Sequence, residues 1–290
     1  DVDTIIAWFT ERDQTLAAQR DGHYVLWFEA DLYDQLQIVQ ILARLAELAV
    51  PAGRVTLICI GEHPGIARFG GLGELRPEQL AELPATKACA TLTPAALDLA
   101  TRAWAAFRAP TPDGLSVIAA TRSGELRFLG EAFERLSREY PSTRDGLSLT
   151  ERRVLAATAD AAQEADAGDD AQQAQAVETA PGATAGEVFL RASAREARPY
   201  LGDTFCFAAM DRLARAPHPL LDIRPPGPPV ERTTRLRLTA TGAGVPAGEE
   251  DHVRLNGVDR WIGGVHLTGR DVRWRWDEGR EALTTRPGPP

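Results

Sequence analysis

Glu29, Asp31, Asp34 and Gln35 fall within one short stretch, WFEADLYDQLQ, and His63 follows in a glycine-rich segment. Three carboxylates at this spacing can share a hard divalent cation such as Mg²⁺ through their oxygens, and Glu29, Asp31 or His63 can serve as a catalytic acid or base. The same trio also suits a plain helix start. Asp31 then caps the helix, Asp34 sits near its positive end and Glu29 is solvated. Trp27, just before the acids, and Gly70 and Gly71, which permit close backbone approach, complete the candidate ligand-binding set with Gln35.

Such groups need elements that bring them together. Tyr24-Val25-Leu26-Trp27-Phe28 is a continuous apolar run, expected as a strand buried on both faces of a parallel sheet. From Asp31 to about Leu48, Leu32, Leu36, Val39, Leu42 and Leu45 recur at helical spacing. Pro51 and Gly53 end that helix, and Val55 to Ile60 supplies a second strand. This strand, helix, strand order is a βαβ unit, which places the acids at the carboxyl end of its first strand, where open α/β sheets bind ligands. The loop from Gly61 to Gly73 leaves the second strand beside them. It lacks the Gly-Lys-Ser/Thr of a phosphate loop and the Gly-x-Gly-x-x-Gly of a dinucleotide fold. Nor does the chain contain a Gly-x-Ser-x-Gly elbow or a His-Glu-x-x-His helix, so serine hydrolase and zinc peptidase chemistry find no support.

Composition narrows the classes further. With 290 residues and 44% hydrophobic content, the chain can bury a sizeable core. No apolar run is long enough to cross a bilayer and no signal segment opens the chain, so a cytoplasmic protein without membrane contact is expected. Cys59, Cys89 and Cys206 are widely spaced among apolar neighbours, which predicts reduced packing residues. The net charge of −9 opposes nonspecific polyanion binding by the whole chain. Residues 1–190 hold 28 acidic against 16 basic side chains, whereas residues 191–290 hold 13 against 16, so any nucleic-acid face belongs to the C-terminal third.

The organisation expected is an α/β domain over 1–147, a small mostly parallel sheet with flanking helices, followed by an α+β domain over 148–290. In the first domain, residues 2–20 read as a helix capped by Asp3, with Ile5, Ile6, Phe9 and Leu16 near helical spacing. Thr93-Pro94 opens another, and Leu126 to Glu139 forms a third. In the second domain, capping boxes at Ser148 to Glu151 and Thr184 to Glu187 start two helices, and Asp203 caps one running to Arg215. A half-buried strand at 234–239 follows. Three helices and then a hairpin is the order of a winged helix, which would offer Arg212, Arg215, Arg235 and Arg237 to phosphates. Residues 163–183 lack large apolar side chains and are expected as a flexible insertion. Near the C-terminus, Trp261 is expected to anchor the last strands, with Asn256, Asp259, Arg260 and His266 around it.

The segments WFEADLYDQLQ, FGGLGEL, YPSTRDGLSLTER, YLGD and NGVDRWIGGVHL occur together, and in that combination the chain resembles the bacterial family called domain of unknown function 1835. The resemblance spans nearly the whole chain apart from residues 163–183. It implies no activity. Longer members carry a further N-terminal strand and a Gly-Asp turn, and a chain that begins at Asp1 is expected to be a piece of something longer. Two functions therefore stand side by side. One is a ligand-responsive binding or regulatory module for a small molecule or nucleic acid. The other is a metal-dependent enzyme acting on a phosphate-containing substrate at residues 27–35, with Glu29, Asp31 and Asp34 as metal ligands.

Overall fold

The computed structural model describes residues 1–19, 21–168, 182–227 and 229–285, with backbone alone for 165–168. The fold is mixed α/β with small sheets, and it divides into two compact units, residues 1–109 with 117–133 and residues 110–116 with 134–290.

The first unit runs α1 (Val2–Ala18), β1 (Tyr24–Glu29), α2 (Leu32–Glu47), β2 (Val55–Ile60), α3 (Pro77–Glu82), β3 (Cys89–Thr91) and α4 (Pro94–Arg108). β1 and β2 pair in parallel, Tyr24 with Val55 through Glu29 with Ile60, as a βαβ unit requires. β3 joins β2 antiparallel, so the three-stranded sheet β1-β2-β3 is mixed rather than mostly parallel. α2 buries Ile38, Val39, Leu42 and Leu45, and α4 buries Leu97, Leu99, Ala100 and Ala103; the two helices pack on each other. On the other side of β2, Ile58 and Ile60 meet Leu75, Leu83 and Ala88.

Two expectations for this unit change. β1 is an edge strand and is not covered on both faces: Val25 is 51% and Trp27 39% exposed, while Ile58, the register partner of Trp27 on β2, is buried. The apolar cluster above the sheet centres on β2 and stops short of β1. α1 forms, but its cap is Asp1, which accepts from the Asp3 N–H, and none of its residues is buried; Ile5, Ile6 and Phe9 are exposed. Helical spacing here marks a face without marking what covers it.

α5 (Leu115–Ala119) and α6 (Leu129–Ser137) each contain a boundary between the units. The second unit thus begins before the 147/148 division expected from sequence. The reason is packing: Tyr140 is fully buried, Leu147 belongs to the second unit's core, and Arg135 pairs with Glu196 at 2.6 Å. Of the insertion expected at 163–183, residues 163–168 are the end of α7 (Leu149–Gly168) and 183–184 form β4 (Ala183–Thr184); residues 169–181 lie outside the described residues.

After β4 come α8 (Ala185–Ala194), α9 (Asp203–Arg215), β5 (Leu221–Arg224) and β6 (Arg235–Leu238), with sheet order β4-β6-β5. Both capping boxes form. Ser148 N–H donates to Glu151 at 2.8 Å and the Glu151 N–H returns to Ser148 Oγ; Thr184 and Glu187 do the same for α8. α9 is capped by Gly202 rather than Asp203, which is its first residue. Val154, Leu155, Val188, Met210, Leu213, Leu220 and Leu236 make the core of this unit. The chain ends in α10 (Ala240–Ala247), α11 (His252–Asn256) and two antiparallel hairpins, β7 (Val258–Ile262) with β8 (Val265–Gly269) and β9 (Trp274–Asp277) with β10 (Ala282–Thr285). Cys59, Cys89 and Cys206 are all free thiols. Among the described residues no helix is long and apolar enough to cross a membrane.

Candidate functional site

At the carboxyl end of β1 the chain turns into α2 within two residues, and the turn is held by the acids themselves. Asp31 caps α2, with Oδ1 accepting from the N–H groups of Tyr33 at 2.8 Å and Asp34 at 3.1 Å. Asp34 reaches back, its Oδ2 accepting from the Glu29 N–H at 2.5 Å. Gln35 is buried and donates to the Glu29 carbonyl at 2.8 Å and to Cys59 Sγ at 3.4 Å, tying the ends of the two parallel strands together. Glu29 extends toward the glycine loop, where Oε1 accepts from the Leu72 N–H at 2.6 Å.

Capping and convergence therefore coexist. One ligand atom from each of Glu29, Asp31 and Asp34 lies within 4.8 Å of the others. Oxygens opposite each other on Mg²⁺ are about 4.2 Å apart, and on Ca²⁺ about 5 Å, from metal–oxygen distances near 2.1 and 2.5 Å. The spacing admits either ion. All three carboxyls are held above the ordinary carboxylate range. Burial is the main cause for each, and charge repulsion adds to it, from Asp34, Asp31 and Glu74 on Glu29 and from Asp34 on Asp31. Hydrogen bonds from backbone N–H groups oppose the shift at all three without cancelling it. Charges gathered in this way against their own desolvation are a common mark of a functional site.

The remaining candidates separate. Gly71 packs directly on the Glu29 carboxylate: a Cβ there would stand 2.5 Å from Oε2, and its φ of +149° is one that side chains disfavour. Gly70 is turned to Glu74, whose Oε2 accepts its N–H at 3.1 Å. Trp27 is part-exposed on β1. His63 does not join the carboxylates; it bridges to Ile66 across a tight turn, and its buried Nδ1 has no hydrogen-bond partner. The convergence expected of it with Glu29 and Asp31 at metal-bridging distance is not found.

Two contributors carry weak or no signal in the sequence. Glu74 adds negative charge to the cluster, and Arg127 donates to the Cys59 carbonyl at 3.0 Å near the end of β2. An acid directly after the glycine loop is a weak signal for Glu74. Arg127 has none, being 68 residues from Cys59 in sequence.

The basic candidates of the second unit are dispersed and partnered. Arg215 bonds Asp211 at 2.8 Å and the Gly227 carbonyl at 2.7 Å, while Arg212 contributes its charge to buried Glu151. Arg235 donates to the Gly182 carbonyl, and Arg237 stands opposite Asp222 in the β5–β6 register. Trp261 is not an anchor: it is 65% exposed and stacks on His266 at 4.4 Å, with the His266 ring bonded to Asp259 at 2.7 Å. Asn256 instead does the anchoring, clamping the His218 backbone N–H and carbonyl. No protein-family model matches this chain, and neither does any curated protein sequence.

Proposed function

We propose that the first unit is a divalent-cation site through which the protein binds a phosphate-bearing small molecule, working as a ligand-responsive binding module. The observation that carries this reading is the convergence of Glu29, Asp31 and Asp34 within 4.8 Å beneath the glycine loop. Three half-buried, mutually repelling carboxylates are stabilised by a bound cation, and such a cation keeps open positions for phosphate oxygens. Binding is favoured over hydrolysis because His63 stands apart and the carboxylates are committed as ligands and caps. Membership of the family that the motifs resemble belongs to the same proposal, and that resemblance covers both WFEADLYDQLQ and FGGLGEL.

Calorimetric titration of the full chain with Mg²⁺, Mn²⁺ and Ca²⁺ tests it. Asp34→Asn is the informative variant, since its amide oxygen still accepts the Glu29 N–H. Saturable binding by the wild type, weakened ~10-fold or more in Asp34→Asn, is expected from the loss of one ligand charge. Protons compete for raised carboxylates, so affinity falls as the solution is taken from about pH 7 to about pH 5. The sign for the ion-free fold is the opposite. A carboxyl whose folded value lies above its unfolded one imposes a stability penalty that is absent below the unfolded value and grows as pH rises through the folded one. Heats no larger than dilution for all three ions exclude the reading.

A second reading concerns the second unit. The order α7, β4, α8, α9, β5, β6 with sheet order β4-β6-β5 matches that of a winged helix, and Arg224 and Arg235 stand directly opposite each other on the hairpin. Like charges so placed repel unless an anion lies between them. Nucleic-acid contact through this hairpin predicts a gel shift of the full chain that fades with salt, and Arg235→Ala lowers the salt slope by about one. No shift at low salt removes it.

A further inference from the structure

Pro217-His218-Pro219 lies in the corner that joins α9 to β5, and because proline has no N–H, His218 supplies the single backbone N–H of these three residues. Asn256, the last residue of α11, satisfies it. Its Oδ1 accepts from the His218 N–H at 2.7 Å and its Nδ2 donates to the His218 carbonyl at 3.0 Å, so the direction of the amide is fixed by the backbone it holds. The same Nδ2 lies 3.2 Å from Nδ1 of buried His252, one turn back along α11. A donor in that place leaves Nδ1 only the accepting role, and a neutral ring then carries its proton on Nε2.

The charges around the ring are already matched. The turn between α6 and α7 presents Asp145, α7 presents Glu151, the cap of α11 is Asp251 and β7 presents Arg260. Asp145 is paired with Arg152 at 2.9 Å, Glu151 with Arg260 at 3.1 Å and Asp251 with Arg275 at 2.9 Å, and Arg212 of α9 adds its charge at Glu151. Each carboxylate thus has its cation. Burial, the largest influence on His252, holds its value below 6.5 against the pull of the three acids. The His218 ring is exposed and takes no part, since the clamp uses its backbone alone.

We propose that His252 and Asn256 form an acid-sensitive latch on the corner before β5, closed by the neutral imidazole and opened by its protonation. An imidazolium carries N–H on both nitrogens, so Nδ1–H would meet the Asn256 amide donor to donor. Turning the amide to offer its oxygen breaks both bonds to His218. Opening moves the ring toward water and an ordinary value near 6.5, so the closed latch binds its proton at lower pH than the open one. The closed state is therefore favoured in full above about pH 6.5 and loses ~10-fold in its equilibrium per pH unit below it, until the closed form titrates as well.

Nitrogen-15 spectra of the full chain labelled at histidine, with the His252 signals assigned from the His252→Gln protein, read the tautomer. Nε2–H is expected at about pH 7.5. Exchange of the His218 amide proton reads the latch: relative to the amides of α8, its protection is expected to fall ~10-fold from about pH 7.5 to about pH 5.5, both above the ordinary carboxylate range. His252→Gln, whose side-chain oxygen still accepts from Asn256 and takes up no proton, shows no such fall. His218→Gln, which leaves the clamped backbone in place, falls as the wild type does. An Nδ1–H tautomer or a doubly protonated ring at about pH 7.5, equal His218 protection at the two pH values, or an equal fall in His252→Gln overturns the proposal. Loss of the fall in His218→Gln overturns it too, by making the exposed ring the sensor.

Discussion

Arg260→Ala is expected to destabilise the second unit by about 3–5 kcal/mol, the range for a buried ion pair broken on one side. Arg260 Nη1 stands 3.1 Å from Glu151 Oε1, and both side chains are largely buried. Burial by itself would raise the Glu151 carboxyl. Arg260, then His252, the Ser148 N–H and Arg212 outweigh it and hold it at about 2. Removing Arg260 strips the largest of these and leaves a carboxylate in the core. The pH dependence distinguishes this from simple loss of packing. A depressed carboxyl contributes stability above its unfolded value, near 4.5, and loses it as pH falls toward about 2. The deficit of Arg260→Ala is therefore large near neutrality and shrinks in acid, where Glu151 of the variant takes a proton. His252 acts in the same direction in the wild type. Burial holds its value below 6.5, so charging it in acid costs the fold stability. Urea unfolding at about pH 7 and about pH 4 measures both effects, with slopes near those of domains of this size. An equal deficit at the two pH values would assign the loss to packing alone.

Gly71→Ala is expected to damage fold and site together. A residue forced into φ near +149° carries strain of about 1–3 kcal/mol. The added methyl would also stand 2.5 and 2.6 Å from the two Glu29 carboxylate oxygens. Glu29 must swing away, losing the Leu72 N–H and leaving the carboxylate trio. A lowered melting temperature and Mn²⁺ affinity reduced ~10-fold or more follow, since a site ligand is lost. Gly73→Ala is the control. Its Cβ would meet nothing within 4 Å, so a change within about ±0.5 kcal/mol and unaltered Mn²⁺ affinity are expected. A Gly71→Ala protein that binds Mn²⁺ like the wild type would show that Glu29 is not a ligand.

Arg260 and Gly71 illustrate two levels of legibility. Turn and cap chemistry is local, and it is readable along the chain. Thr93-Pro94, Ser148 to Glu151 and Thr184 to Glu187 start helices because side chain and backbone donor lie three residues apart in any context. The strand, helix, strand order around Glu29 is readable for the same reason, and with it the place of the acids at a strand end. Burial is less so. The run Tyr24 to Phe28 is as apolar as a central strand, yet it lies at a sheet edge, because hydrophobicity records what a strand tolerates and not which neighbours it has.

Sequence alone determined the elements and the stretch where carboxylates accumulate, since helix caps, glycine turns and apolar periodicity act over a few residues. Tertiary structure decided what those residues mean. It brought Leu72 and Gly71 onto Glu29, left His63 outside, exposed Trp261 and buried Arg260 on Glu151, 109 residues away in the chain. These outcomes depend on non-local packing, where a single close approach sets desolvation, charge and hydrogen bonding at once, and no spacing along the chain encodes that approach.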